Sequence, residues 1–165
     1  MSQKIIFLDR DGTLNKLKSD YVKNLNEFKI LPSVGKNLKK LSDAGFHLIV
    51  VTNQSAINRK LMTVDDLNKI HNFLNSYLNS FDCFLDEIYF CPHTPEENCA
   101  CRKPKIGLFE KALNSYSEID LANSWMIGDS DSDILAGKKF GIRTIKIQSN
   151  SSLDESVNQI LENYS

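Results

Sequence analysis

Short apolar runs alternate along this chain with longer stretches in which apolar residues recur every three or four positions. "KIIFL" (4–8), "FHLIVVT" (46–52), "DEIYF" (86–90), "SWMIGD" (124–129) and "IRTIKI" (142–147) read as buried strands, too short for helices and bounded by polar residues. Residues 33–45 predict a helix, with Ser33 as N-cap, Val34, Leu38 and Leu41 on one face, and Gly45 as the stop. Residues 63–78 predict another, capped by Thr63 and carrying Leu67, Ile70, Phe73, Leu74 and Leu78 on one face. Helices are also expected over 106–116, over 131–141 with Gly141 closing it, and over 153–162 after the Ser- and Asn-rich loop 148–152. Strand–helix alternation of this kind predicts an α/β fold, Rossmann-like, with a mainly parallel sheet flanked by helices. No repeat, low-complexity tract or linker divides the chain, so residues 1–165 are expected to form a single domain.

In such sheets ligands bind beyond the carboxyl ends of the strands. Polar residues collect at those ends: Asp9 and Asp11 after the first strand, Thr52 and Asn53 after the second, a Cys/His cluster after the third, and Gly128-Asp129 after the fourth. Asp9 and Asp11 stand two apart, so in extended chain they project to one side, where two like charges raise one another's pKa. A bound cation or acid–base chemistry would repay that repulsion; the alternative is a hydrophilic turn closed by Gly12.

Composition narrows the choices. At 41% hydrophobic, 25% charged and a net charge of −1, the chain offers no electrostatic case for nucleic acid or a membrane surface. No apolar run approaches the ~20 residues that span a bilayer, and "KIIFL" is too short for a signal peptide. A cytoplasmic location is therefore expected, and a monomer, since no long apolar seam is present. In that compartment cysteines seldom form disulfides. Cys91, Cys99 and Cys101 cluster with His93 in "CPHTPEENCACRKP", a Cys₃His set suited to tetrahedral Zn²⁺ in a closed structural site; the alternative is unligated thiols on a surface loop. Cys83, outside the cluster, reads as a small core hydrophobe.

With these motifs in hand, the chain resembles the haloacid dehalogenase superfamily of phosphatases over essentially its whole length. "FLDRDGT" matches that family's Asp-x-Asp-x-Thr signature, "VVTN" its strand ending in Ser or Thr, "RKP" its lysine, and "IGDSDSD" its Gly-Asp-x-x-x-Asp. The resemblance implies a Mg²⁺-dependent phosphatase acting on a small phosphorylated metabolite. Asp9 would be the nucleophile, forming an aspartyl-phosphate, and Asp11 the general acid and base. Thr52 and Lys103 would hold the phosphoryl oxygens. Asp9, the backbone carbonyl of Asp11, and Asp129 would bind Mg²⁺, with Asp133 orienting that site from behind.

The zinc loop and the lack of room for a cap domain resemble the capless branch that contains heptose 1,7-bisphosphate phosphatases and histidinol-phosphate phosphatases. There the zinc loop would deliver Arg102 and Lys103 to the phosphate. Arg102 would recognise the distal part of the substrate, and Asn53, Gln54, Ser55 and Arg59 would line its approach. "VTNQSAINR" and "GTLN" favour removal of the 7-phosphate of D-glycero-D-manno-heptose 1,7-bisphosphate, with histidinol phosphate as the alternative. Ser19-Asp20-Tyr21-Val22, Ala56 and Ser130 depart from the heptose pattern at positions expected to touch the substrate. A reading of a different class is a zinc-braced binding module with a decayed catalytic site; such proteins typically lose Asp9 or Lys103, and this chain keeps both.

Overall fold

The computed structural model describes residues 1–165. Five strands, β1 (Ile5–Leu8), β2 (His47–Asn53), β3 (Glu87–Cys91), β4 (Trp125–Gly128) and β5 (Arg143–Lys146), form one sheet in the order β3-β2-β1-β4-β5, parallel throughout. The helices α1 (Val34–Asp43), α2 (Val64–Asn79), α3 (Gly107–Ser115), α4 (Asp131–Phe140) and α5 (Asp154–Glu162) supply the crossovers and the C-terminal element.

Both faces of the sheet are covered, and the period-2 alternation of β1 shows how. Ile6 and Leu8 pack with Val34, Leu38, Leu67, Ile70 and Val157 of α1, α2 and α5. Ile5 and Phe7 pack on the opposite face with Leu108, Phe109 and Ala136 of α3 and α4. From β1 the chain steps outward through β2 to β3 on one side and then crosses back to β4 on the other, so a crevice opens beyond the carboxyl ends of β2, β1 and β4. No helix is long and apolar enough to cross a membrane.

Two local expectations are corrected. Ser33 precedes α1 in the left-handed conformation, φ 64°, and its hydroxyl caps nothing; it lies 3.2 Å from Ser152 Oγ at the start of the C-terminal helix region. A side chain in that backbone geometry points away from the helix's free N–H groups. Phe73 is 45% exposed, while His71 is buried in α2 with Leu67, Ile70, Leu74 and Leu78. At 3.6 residues per turn Phe73 lies roughly 120° from the centre of that stripe. It covers Phe28 edge-on instead, with ring centroids 6.2 Å apart. Thr63 caps α2 as expected, in a reciprocal pair with Asp66.

Candidate active site

The loop after β1 is wound around one carbonyl. Arg10 O accepts hydrogen bonds from Thr13 N, Leu14 N and Asn15 N at 2.8 to 3.2 Å, and Gly12, at φ +84°, makes the turn possible. A Cβ on Gly12 would overlap the carboxylate of Asp129 arriving from β4. The winding leaves Asp9 and Asp11 facing one cleft of about 540 Å³, while Arg10, between them, turns inward and is fully buried.

Lys103 organises the floor. Its ammonium donates to Asp9 Oδ1 (2.9 Å), Val51 O (2.7 Å) and Asp133 Oδ1 (2.6 Å), which uses all three of its protons. Asn53 clamps the lysine's backbone reciprocally: Lys103 N donates to Asn53 Oδ1 (3.0 Å) and Asn53 Nδ2 to Lys103 O (3.2 Å). Asp133 is held by the first turn of α4, where Ser130 N donates to its Oδ2 at 3.1 Å and Ser130 Oγ accepts from Asp133 N. Asp129 accepts from Ser149 Oγ at 2.6 Å.

The two motif aspartates are tuned in opposite directions. Burial pushes the Asp9 carboxyl well above its ordinary pKa; Lys103 opposes the rise and Asp133 adds to it. Burial acts on Asp11 in the same sense, but there it is outweighed. Arg10 Nη2 and Asn15 Nδ2 both donate to Asp11 Oδ1 at 2.9 Å, and Gln54 Nε2 donates to Oδ2 at 2.8 Å, so its pKa falls. Lys103 loses to burial and gains more from Asp9 and Asp133, which keeps it charged.

Carboxylate oxygens of Asp9, Asp129 and Asp133 lie within 4.8 Å of one another. Three carboxylates against one ammonium leave excess negative charge in an all-oxygen donor set, the chemistry a hard divalent cation takes. Both oxygens of Asp133 are already engaged by Lys103 and Ser130, which leaves Asp9 and Asp129 as the freer donors.

The remaining expected site residues are dispersed. Thr52 is buried with Oγ1 accepting from Gln54 Nε2 at 2.8 Å. Asn53 and Gln54 line the cleft, whereas Ser55 is buried beside it and Arg59 and Arg102 are not among its lining residues. Arg59 stands 3.9 Å from Glu96, and Arg102 Nη1 donates to His93 O at 3.3 Å. Lys18, Ser19 and Tyr21 form one wall of the cleft and Ser149 another. Lys18, Ser149 and Arg10 escaped the sequence reading. Arg10 alone had a visible signal, since period 2 sends position 10 opposite to positions 9 and 11.

Beside the cleft, the cysteine loop closes on itself. Sγ of Cys91 lies 2.9 Å from Cys101 Sγ, 3.6 Å from Cys99 Sγ and 3.3 Å from His93 Nδ1. Cys101 Sγ lies 3.2 Å from His93 Nδ1 and 3.7 Å from Cys99 Sγ. Tetrahedral Zn²⁺ with ordinary bond lengths has ligand–ligand edges of about 3.6–3.8 Å; the two edges to Cys99 Sγ already match, and the edges among Cys91, Cys101 and His93 would widen around the ion. Arg102 N donates to Cys99 Sγ at 3.3 Å, supporting a thiolate there.

Comparison with known proteins agrees with this geometry. The family model described as polynucleotide kinase 3 phosphatase matches residues 4–158. The chain is 40% identical over 151 residues to D-glycero-beta-D-manno-heptose-1,7-bisphosphate 7-phosphatase of Haemophilus ducreyi, covering 87% of this chain and 82% of that protein. It is 39% identical over 146 residues to the histidine biosynthesis bifunctional protein HisB of Legionella pneumophila, covering 88% of this chain but 41% of that one. Among solved structures it is similar to D,D-heptose 1,7-bisphosphate phosphatase from B. bronchiseptica complexed with magnesium and phosphate. The TM-score is 0.84 at 29% identity, with 98% of this chain and 99% of that chain covered.

Proposed function

Because the chain belongs to the polynucleotide kinase 3 phosphatase family of haloacid dehalogenase-like hydrolases, we propose that it removes the 7-phosphate of D-glycero-D-manno-heptose 1,7-bisphosphate, with Asp9 as nucleophile. The observation that carries this reading is the convergence of Asp9, Asp11, Lys103 and Asp129 on one cleft at the switch point of the sheet. The relatives' substrate adds the specificity.

Asp9, held through Oδ1 by Lys103, attacks phosphorus, and the ester P–O bond breaks as the aspartyl-phosphate forms. The leaving oxygen takes a proton from Asp11. Asp11 then accepts a proton from water, whose oxygen attacks phosphorus, releasing phosphate and restoring Asp9. The donors around Asp11 hold it as a carboxylate beforehand, the form the second step needs. The proton for the first step is taken up as the anionic phosphate enters, because added negative charge raises the aspartate's proton affinity. Lys103, whose three protons are held by Asp9, Val51 O and Asp133, stabilises the phosphoryl oxygens as a fixed positive charge, and Thr52 keeps its hydroxyl proton for them.

Magnesium, held by Asp9, Asp129 and the Asp11 carbonyl, would neutralise phosphate charge ahead of attack by an anion. Asp133 orients Lys103 and the first turn of α4. Zinc on Cys91, His93, Cys99 and Cys101 would brace the loop that presents Arg102 and Lys103. The chain would act as a cytosolic monomer of one catalytic domain on a small phosphorylated metabolite, without nucleic-acid or membrane partners.

Histidinol phosphate is the second reading, favoured by the identity to the histidine biosynthesis bifunctional protein. The decayed-module alternative has lost its ground, since the chain belongs to a phosphatase family and Asp9 and Lys103 remain in contact. The test is kcat/KM for phosphate release from both compounds with Mg²⁺, and Asp9→Asn as control. The heptose bisphosphate is expected to be preferred by at least about tenfold. A preference for histidinol phosphate would overturn the substrate, and an active Asp9→Asn the mechanism.

A further inference from the structure

Arg10 and His71 are buried titratable groups to which the reaction above gives no part. Arg10 is fully buried. It donates through Nε to Asn15 Oδ1 (3.2 Å) and through Nη2 to Asp11 Oδ1 (2.9 Å), and Nη1 lies 3.2 Å from His71 Nε2. Asn15 in turn donates to the same Asp11 oxygen at 2.9 Å, so Arg10, Asn15 and Asp11 form a closed ring. A guanidinium has no acceptor, so His71 must receive this hydrogen bond through an unprotonated Nε2. The guanidinium also lies over the Phe28 ring, 5.5 Å from its centroid, which confines its plane.

We infer that His71 of α2 is a positioning residue that, by anchoring the far end of the Arg10 guanidinium, aims Asp11 at the leaving oxygen of the substrate. The inference rests on the reading of Asp11 as the general acid. Remove the acceptor at position 71 and a buried N–H loses its partner. The guanidinium then turns to recover one, and Asp11 Oδ1 turns with it. His71 touches neither substrate nor cation, so its effect on turnover runs through Arg10.

Leaving-group chemistry separates this role from mere support of the fold. An alkyl phosphate needs a proton on its departing oxygen, whereas p-nitrophenyl phosphate leaves without one. The phosphorylation step alone is read by kcat/KM, so the comparison excludes the later hydrolysis of the aspartyl-phosphate. In His71→Phe, kcat/KM for the heptose bisphosphate is expected to fall about 10- to 100-fold, and for p-nitrophenyl phosphate no more than about threefold. His71→Gln, whose side-chain oxygen can accept from Arg10, is expected to recover most of the loss. Equal losses on both substrates, or none, would overturn the inference, and so would a His71→Gln no better than His71→Phe. Should His71→Phe fail to fold, the parent against His71→Gln and His71→Leu gives the same comparison. Asp11→Asn tests the underlying reading separately: if it hydrolyses the alkyl phosphate as well as the parent, the role of Asp11 itself is wrong.

Discussion

Lys103 Nζ lies 2.6 Å from Asp133 Oδ1 in an ion pair whose side chains are 2% and 1% exposed. The same ammonium reaches Asp9 Oδ1, so one cation holds two buried carboxylates apart from their own repulsion. Replacing it as Lys103→Met would leave both uncompensated. Loss of one partner of a buried pair costs about 3–5 kcal/mol, so urea unfolding should show a loss of that order, and kcat should fall by ~10² or more. Unchanged stability would show that the carboxylates are neutralised by some other means.

Gly12→Ala is expected to act on the cation site. The new methyl would collide with the Asp129 carboxylate, and the left-handed backbone adds about 1–2 kcal/mol of strain. Displacing a ligand's support weakens metal affinity by roughly 10–100-fold. The Mg²⁺ concentration that half-saturates turnover should rise by that factor, with kcat at saturating Mg²⁺ falling much less. A Mg²⁺ titration reads both quantities.

Cys101→Ser should release the loop metal. The parent is expected to hold about one zinc per chain and the variant almost none, measured by a colorimetric chelator after denaturation. Because Lys103 lies two residues beyond Cys101, the variant should lose turnover as well as several degrees of melting temperature. Full activity in a zinc-free variant would separate the loop from the catalytic lysine.

His71 should shape the acid side of the stability profile. Burial, with Arg10 adding to it, lowers its pKa from 6.5 to about 3. Between those values the unfolded chain carries a proton that the folded chain excludes, so stability falls as the pH falls. One such group contributes at most about 1.4 kcal/mol per pH unit. His71→Gln removes this contribution and should flatten the decline in unfolding free energy between about pH 6.5 and 4.5. An identical slope in parent and variant would show that the histidine takes up its proton without unfolding.

Much of this architecture follows from patterns that operate over a few residues. Unbroken apolar runs such as "KIIFL" make strands buried on both faces, and the carboxyl ends of strands in a parallel sheet all open on one edge. Asp9, Thr52 and Asp129 could therefore be assigned to one edge before any contact was known, and the spacing of Cys91, His93, Cys99 and Cys101 on one loop suggested a metal site. Tertiary structure decided what arrives at that edge from far along the chain. Ser149 reaches Asp129 because the loop after β5 returns over the β1 loop, where Asn150 N donates to Gly12 O at 2.8 Å and Leu17 N to Asn150 Oδ1 at 2.7 Å. No local propensity encodes a contact between positions 17 and 150. The helical period already sets Phe73 off the buried stripe of α2; which surface it covers, the ring of Phe28, is decided by the fold. Arg59 and Arg102 pair with Glu96 and the His93 carbonyl of the zinc loop, contacts between segments that local patterning does not announce. Arg10 is a charge that sequence alone would leave in water. It is buried because Asp11, Asn15 and His71, drawn from a loop and from α2, meet its donors in one place. Short-range patterning determines which elements form; the pairing of distant polar groups away from water determines which side chains the site can use.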